Sequence, residues 1–260
     1  MSETALITGA SSGIGEALAR VHAEKGGDLI LIARRADKLN ALKEELEGKH
    51  RIRAHVITED LSDEDAPQRI FDAVAAAGLS VDMLINNAGF GGRGKFHERA
   101  WREDRDMMQV NIIALSALTH LFLPVMVDRG TGRILNVSSP AGELPGPLQA
   151  VYFASKAYVT SFSNALAEEL HDTDITVTAL LPGATASEFA ATSDMEETPL
   201  FDNPASPRSI AKTGYRAMLR GALTVFAGVP FRRRIFYRLI SLFPKRALLR
   251  QVRQIMETGQ

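Results

Sequence analysis

The sequence predicts one α/β domain: a doubly wound parallel sheet of about seven strands, with a helical extension at the C-terminus. Three observations carry this. Short β-rich runs alternate with longer helical patterns through the first 180 residues. The short runs are apolar almost without interruption, as strands are when helices cover both faces of their sheet. A glycine cluster joins the first run to the first helical pattern, the place where such sheets bind ligands. The chain has 260 residues, 45% of them apolar, enough for a core that needs no cross-links. It contains no cysteine, which excludes disulfides, thiolate metal sites and cysteine nucleophiles.

Thr4–Thr8 reads as a buried strand, followed by a helix carrying Leu18, Ala19 and Val21. Leu29–Ala33 is the second strand, set off by Gly26-Gly27, and Leu39, Leu42 and Leu46 mark the helix after it. Ile52–Thr58 is the third strand, and Ile70, Phe71 and Val74 lie on the next helix. Met83–Asn86 is the fourth. A long helix from about Ala100 to Met126 leads to Ile134–Val137, and a helix from about Ala150 to Leu170 leads to Ile175–Leu181. Right-handed β-α-β crossovers make this a doubly wound sheet. Asp194–Pro207, rich in Asp, Glu, Ser, Thr and Pro, reads as a mobile loop. Residues 1–230 are expected to form the main domain, with a substrate loop at about 188–208, and 231–260 the extension. Met1-Ser2-Glu3 brings no basic segment or cleavable apolar stretch, so a secretory signal is not expected. No unbroken apolar run approaches the length of about 18 residues needed to span a bilayer. A cytoplasmic protein is the expectation.

The first strand runs into Thr8-Gly9-Ala10-Ser11-Ser12-Gly13-Ile14-Gly15. Glycines allow a tight turn and close approach of backbone to a pyrophosphate, and the N–H groups of the following helix end attract anions. A dinucleotide is therefore expected on Gly9, Ser11, Ser12, Gly13, Ile14 and Gly15. Proteins that select NAD carry an acid near the tip of the second strand for the ribose 2′-hydroxyl. Here the tip is Ala33-Arg34-Arg35. A guanidinium matches a phosphate, so Arg34 and Arg35 predict NADP(H) in preference to NAD(H), with Ser11 helping to hold the 2′-phosphate.

More fixed pieces follow in order: Asn86-Asn87-Ala88-Gly89, Asn111 in the long helix, Asn136-Val137-Ser138-Ser139, Tyr152-x-x-x-Lys156 and Pro182-Gly183. Together with the glycine loop, over about residues 4–190, they resemble the short-chain dehydrogenase/reductase family of the classical type, built on a Rossmann-type sheet. The resemblance implies an oxidoreductase that interconverts a carbonyl and an alcohol, with Asn111, Ser139, Tyr152 and Lys156 as catalytic residues. Asp60 and Leu61 would border the adenine and Asn87, Ala88 and Gly89 the ribose. Pro182, Gly183, Thr185 and Ser187 would meet the nicotinamide end. Asn111 would bind a water linking Lys156 to solvent. Oligomers are common in the family, so a homo-oligomer is expected.

The chemistry also follows from the residue types. Carbonyl reduction by hydride needs a proton for the developing alkoxide, and a tyrosine of pKa about 10 is a poor acid-base group at pH 7. Lowering it to about 7 requires roughly 4 kcal/mol of preferential phenolate stabilisation. Lys156, one turn along the same helix face, is expected to supply this, and Ser139 to hydrogen-bond the substrate oxygen. The alternative is a nicotinamide-binding regulatory or scaffold protein without turnover, against which the complete proton relay argues. The six histidines are scattered, so no metal site is expected.

Phe90, Leu144, Leu148, Phe153, Phe189, Met195 and Leu200 suggest an apolar substrate. Charge is divided unequally. Residues 1–207 hold 18 basic and 30 acidic residues, a net −12; residues 208–260 hold 12 and one, a net +11. In 231–256, Phe231, Ile235, Leu239, Leu242, Leu248, Val252 and Ile255 recur near helical spacing among arginines. Such a segment fits an anionic membrane surface, an acidic carrier or acyl thioester, or packing and oligomer contact with the acidic body. Nucleic acid is not an expected partner, since the chain as a whole is nearly neutral and carries no binding motif.

Overall fold

The computed structural model describes residues 2–196, 198, 201–240 and 243–257. Seven strands form one parallel sheet in the order β3-β2-β1-β4-β5-β6-β7. They are β1 (Thr4–Thr8), β2 (Asp28–Ala33), β3 (Ala54–Thr58), β4 (Met83–Asn86), β5 (Gly132–Val137), β6 (Ile175–Pro182) and β7 (Thr224–Ala227). The chain builds outward from β1 to β3 and then crosses back to β4. The order therefore reverses between β1 and β4, and a crevice opens beyond their C-terminal ends.

Alternation along the strands explains the unbroken apolar runs. Ala5, Ile7, Leu29 and Leu31 face one side, under α1 (Gly13–Ala23), α2 (Ala36–Lys49) and α8 (Pro207–Leu219). Leu6, Ile30, Leu84 and Ile134 face the other, under α3 (Ala66–Ala76) and α5 (Leu115–Arg129). Both side-chain sets must be apolar because both meet helices. Each buried Leu or Ile contributes about 1.5–3 kcal/mol relative to exposure. Strand register sets the C-terminal ends of β1 and β4 side by side, with Ile7 opposite Ile85.

Several boundaries differ from the sequence reading. β3 starts at Ala54, not Ile52, and β5 starts at Gly132, not Ile134. The expected long helix is α4 (Trp101–Met108), a π-helical turn at Gln109–Ala114, and α5. The run Trp101–Arg129 is long and apolar enough to cross a membrane by length and composition. Met107, Leu118, Phe122 and Met126 are nevertheless buried in the core.

The segment after β6 enters a short helix, α7 (Phe189–Thr192), and returns to α8. Its base is pinned by a bridge between Thr185 and Ala205. Ser206 caps α8 by accepting from Ser209 N at 3.2 Å, with Pro207 in the first turn. The stretch read as a mobile loop is a loop, but Ser193, Met195 and Thr198 within it are buried. α9 (Phe231–Leu239) and α10 (Lys245–Met256) complete the chain. The sequence left the apolar face of this tail to a membrane surface, an acidic carrier or acyl thioester, or packing against the body. Leu248, Val252 and Met256 of α10 pack on Met107, Tyr152, Phe153 and Met195. Leu242 lies outside the described residues.

Candidate active site

The glycine loop shapes the inner wall of the crevice. Gly9 and Gly13 have φ of 66° and 58°, a left-handed conformation that favours glycine. A Cβ on Gly15 would land on the Gly9 carbonyl and within 2.5 Å of Asn87 Nδ2. The loop is stapled to the segment after β4: Asn87 N and Ala88 N each donate to Thr8 Oγ1 at 3.0 Å, and Asn87 Nδ2 donates to the Thr8 carbonyl at 2.9 Å. The first amides of α1 thus stay open toward the crevice, beside the positive end of the helix.

Tyr152 and Lys156 lie on α6 (Ala150–Glu169), both buried. The two serines after β5 divide their work. Ser138 turns into α6, where its hydroxyl donates to the Lys156 carbonyl at 2.8 Å. Ser139 accepts from Ala141 N at 3.1 Å and lines the cleft with Tyr152. Lys156 Nζ donates to the Val137 carbonyl at 2.9 Å and stands 5.9 Å from the centre of the Tyr152 ring. Burial pushes the Tyr152 phenol up to about 12, offset in part by Ser139, and pushes Lys156 down to about 8. Its ammonium is engaged by a carbonyl and lies near the ring, and desolvation dominates both groups.

Asn111 lies in the π-helical turn, a distortion common at functional sites. Its Oδ1 accepts from Phe90 N at 3.1 Å, and its Nδ2 donates to the Phe90 carbonyl and to Ser155 Oγ, each at 3.0 Å. Both ends of the amide are committed to protein, fixing the strand-to-loop turn. Gly89 lies between Asn111 and Lys156: a Cβ there would come within 3.0 Å of Asn111 Oδ1 and 3.2 Å of Lys156 Nζ.

At the outer end, Arg35 Nε and Nη2 donate to Ser11 Oγ at 3.2 and 3.1 Å. Arg34 is three-quarters exposed and 3.8 Å from Asp60. Asp60 also accepts from Ser62 N at 3.0 Å, so it is a turn residue as well as a wall of the crevice. Glu188, just before α7, pairs with Arg35 at 2.8 Å and Lys38 at 2.9 Å. These hydrogen bonds, Lys38 first, draw its carboxyl down to about 2.

One cleft of about 1080 Å³ joins the glycine loop, the phenol and α10. A family model described as short chain dehydrogenase matches residues 3–198. The chain belongs to the short-chain dehydrogenase family. It is 40% identical over 191 residues to a sulfoacetaldehyde reductase of Chromohalobacter salexigens, covering 73% of this chain and 75% of the relative. It is 32% identical to the human very-long-chain 3-oxoacyl-CoA reductase over 84% of this chain and 69% of that one. A solved short-chain dehydrogenase from Sphingobium yanoikuyae, in complex with NADPH, superposes with a TM-score of 0.82 at 28% identity, covering 94% of this chain and 97% of that one. The protein is therefore an oxidoreductase.

In this dehydrogenase the cleft brings together every candidate catalytic residue except Asn111, which acts on it through Phe90. The cofactor candidates Gly9, Ser11, Ser12, Gly13, Ile14, Arg34, Arg35, Asp60, Leu61, Asn87, Ala88, Gly89, Pro182, Gly183 and Thr185 line it too. Gly15 lies behind the loop. Phe90, Leu144, Phe153, Phe189 and Met195 line the substrate end; Leu148 does not, and Leu200 lies outside the described residues. The sequence reading missed Phe236, Leu248, Val252 and Met256 on this wall. The signal was present: Leu248, Val252 and Met256 repeat every four residues along one helix face. It also missed Glu188 and Lys38.

Proposed function

We propose that this dehydrogenase reduces an apolar ketone or aldehyde with NADPH, with Tyr152 as the proton donor. The observation that carries the reading is one cleft with Ser139, Tyr152 and Lys156 at its inner end and Ser11 with Arg35 at its outer end. The residues fit a dinucleotide. Gly9 and Gly13 keep the loop backbone open, the glycine at 89 leaves space beside Lys156, and Arg35 with Ser11 offers donors for a 2′-phosphate. When bound, the cofactor supplies the hydride. Ser139 and Tyr152 hydrogen-bond the substrate oxygen and oppose its developing charge. Tyr152 supplies the proton that the developing alkoxide requires. Lys156 holds ribose hydroxyls, and Asn111, with both ends of its amide bonded to protein, fixes the turn at Phe90 in place of the water-binding role the resemblance implied. The apolar wall from Phe153, Phe189, Met195 and α10 supports an apolar substrate.

The test is purified protein, NADPH or NADH, and a panel of ketones and aldehydes graded by chain length. Faster NADPH consumption with longer apolar carbonyls is expected. Tight NADPH binding with none consumed would reject turnover and favour the scaffold reading.

A second reading concerns where the enzyme works. Phe231, Ile235, Leu239 and Phe243 are exposed beside Arg232, Arg233, Arg246 and Arg250. Arg253 pairs with Glu257 at the end of α10, 3.5 Å away, while Arg232, Arg233, Arg246 and Arg250 are exposed. We assign this outer face to an anionic membrane surface. Vesicles of anionic lipid should sediment the protein, and an Arg246→Glu, Arg250→Glu variant should stay in solution; equal sedimentation would remove the assignment. Exposed Ile113, Val125 and Tyr158 on the outer side of the π turn, α5 and α6 support self-association, and light scattering at monomer mass would exclude it.

A further inference from the structure

Glu188 already holds the donors that the NADP(H) reading assigns to a 2′-phosphate. Its two oxygens take Arg35 Nη1 at 2.8 Å and Lys38 Nζ at 2.9 Å. It reaches them from another part of the chain, 153 residues from Arg35. Its neighbours lock the approach. Ser187 packs against the loop, so that a Cβ on Gly13 would come within 3.1 Å of its own Cβ, and Phe189 lies 5.5 Å from the Tyr152 ring.

A carboxylate carries one charge, whereas a phosphate monoester carries nearly two and has three acceptor oxygens. Arg35, Lys38 and Glu188 are all more than a third exposed. Exposed pairs of this kind are weak, so the carboxylate can yield. It still has to be displaced before the cations are available.

We propose that Glu188 sets cofactor specificity as an internal anion that competes with the 2′-phosphate for Arg35 and Lys38. Lys38 becomes a phosphate ligand alongside Arg35. Preference for NADP(H) is then the outcome of a contest between two anions and is smaller than the cations alone would give. This rests on the cofactor reading above and extends it to a residue on the substrate loop.

The test is calorimetric binding of NADP⁺ and NAD⁺, which differ only in the 2′-phosphate, to full-length wild type, Glu188→Gln and Lys38→Met. Glu188→Gln keeps the size of the side chain on an exposed position and should not disturb folding. It is expected to raise the ratio Kd(NAD⁺)/Kd(NADP⁺) about three- to tenfold through tighter NADP⁺ binding. Lys38→Met should lower the ratio. An unchanged or reduced ratio in Glu188→Gln overturns the proposal. The two readings separate cleanly. If wild type prefers NADP⁺ and Glu188→Gln leaves that preference unchanged, the cofactor reading stands and the competition falls. If wild type shows no preference and Glu188→Gln creates one, the competition stands and the wild-type preference falls. No preference in either protein rejects both.

Discussion

At the inner end of the cleft Lys156 is buried, and its ammonium meets a backbone carbonyl. At the outer end Arg34, Arg35 and Lys38 stand in solvent and meet the carboxylates of Asp60 and Glu188. Cations at both ends serve one cleft, yet burial gives them different roles. Inside, desolvation controls protonation: the lysine falls to about 8 and the phenol rises to about 12. Outside, hydrogen bonds and charge control it, and the Glu188 carboxyl falls to about 2. On the proposed reading, proton chemistry belongs to the buried end, and recognition of a 2′-phosphate to the end where ions exchange easily and salt screens them.

The largest expected effect breaks the inner end. Tyr152→Phe should lower turnover by about 10³-fold or more while cofactor Kd changes less than about twofold. Steady-state rates and binding measured side by side check this, and retained turnover would move proton donation elsewhere. In the cofactor-free protein, the ultraviolet difference between wild type and this variant should show tyrosinate only as pH approaches about 12. A carboxylate placed in the roof, Val252→Asp, should raise KM for an apolar ketone about tenfold or more, because it buries an unpaired charge beside the substrate wall. At the outer end, Arg35→Ala should cut the NADPH/NADH preference about tenfold and Arg34→Ala less than about threefold, since only Arg35 also holds Ser11. Both effects should shrink in 1 M salt.

The smallest effect is on stability. The folded-state pKa of Lys156 lies below its unfolded value, so its charged form opposes folding below pH 8, and that cost fades between about pH 8 and 10.5. Lys156→Met should therefore melt about 3 °C above wild type at pH 7 and level with it near pH 10.5. A lower melting temperature at pH 7 would mean that the bond to Val137 outweighs desolvation.

The strands were legible because helices cover both faces and leave no room for polar alternation in Leu29–Ala33 or Met83–Asn86. The glycine loop, Ser139, Tyr152 and Lys156 were legible because their spacing is local. Other features depend on tertiary packing. Gln109–Ala114 carries the same residue pattern whether the turn is α or π. An amphipathic basic helix looks alike whether its apolar face meets lipid or Tyr152 and Phe153. The spacing of Tyr152 and Lys156 put them on one face, but not which acceptor would take the ammonium. Nothing near Arg35 in sequence announces Glu188.

The widened turn at Gln109–Ala114 holds one residue more than an α-helix needs for the same path. Deleting a single residue there would give an unbroken helix and leave α4 in phase with α5, so that Met107 keeps its packing and Asp104 keeps Arg99 at 2.9 Å. The surplus residue is therefore not needed to join the two helices. What it supplies is the placement of Asn111, whose amide ties the turn to Phe90.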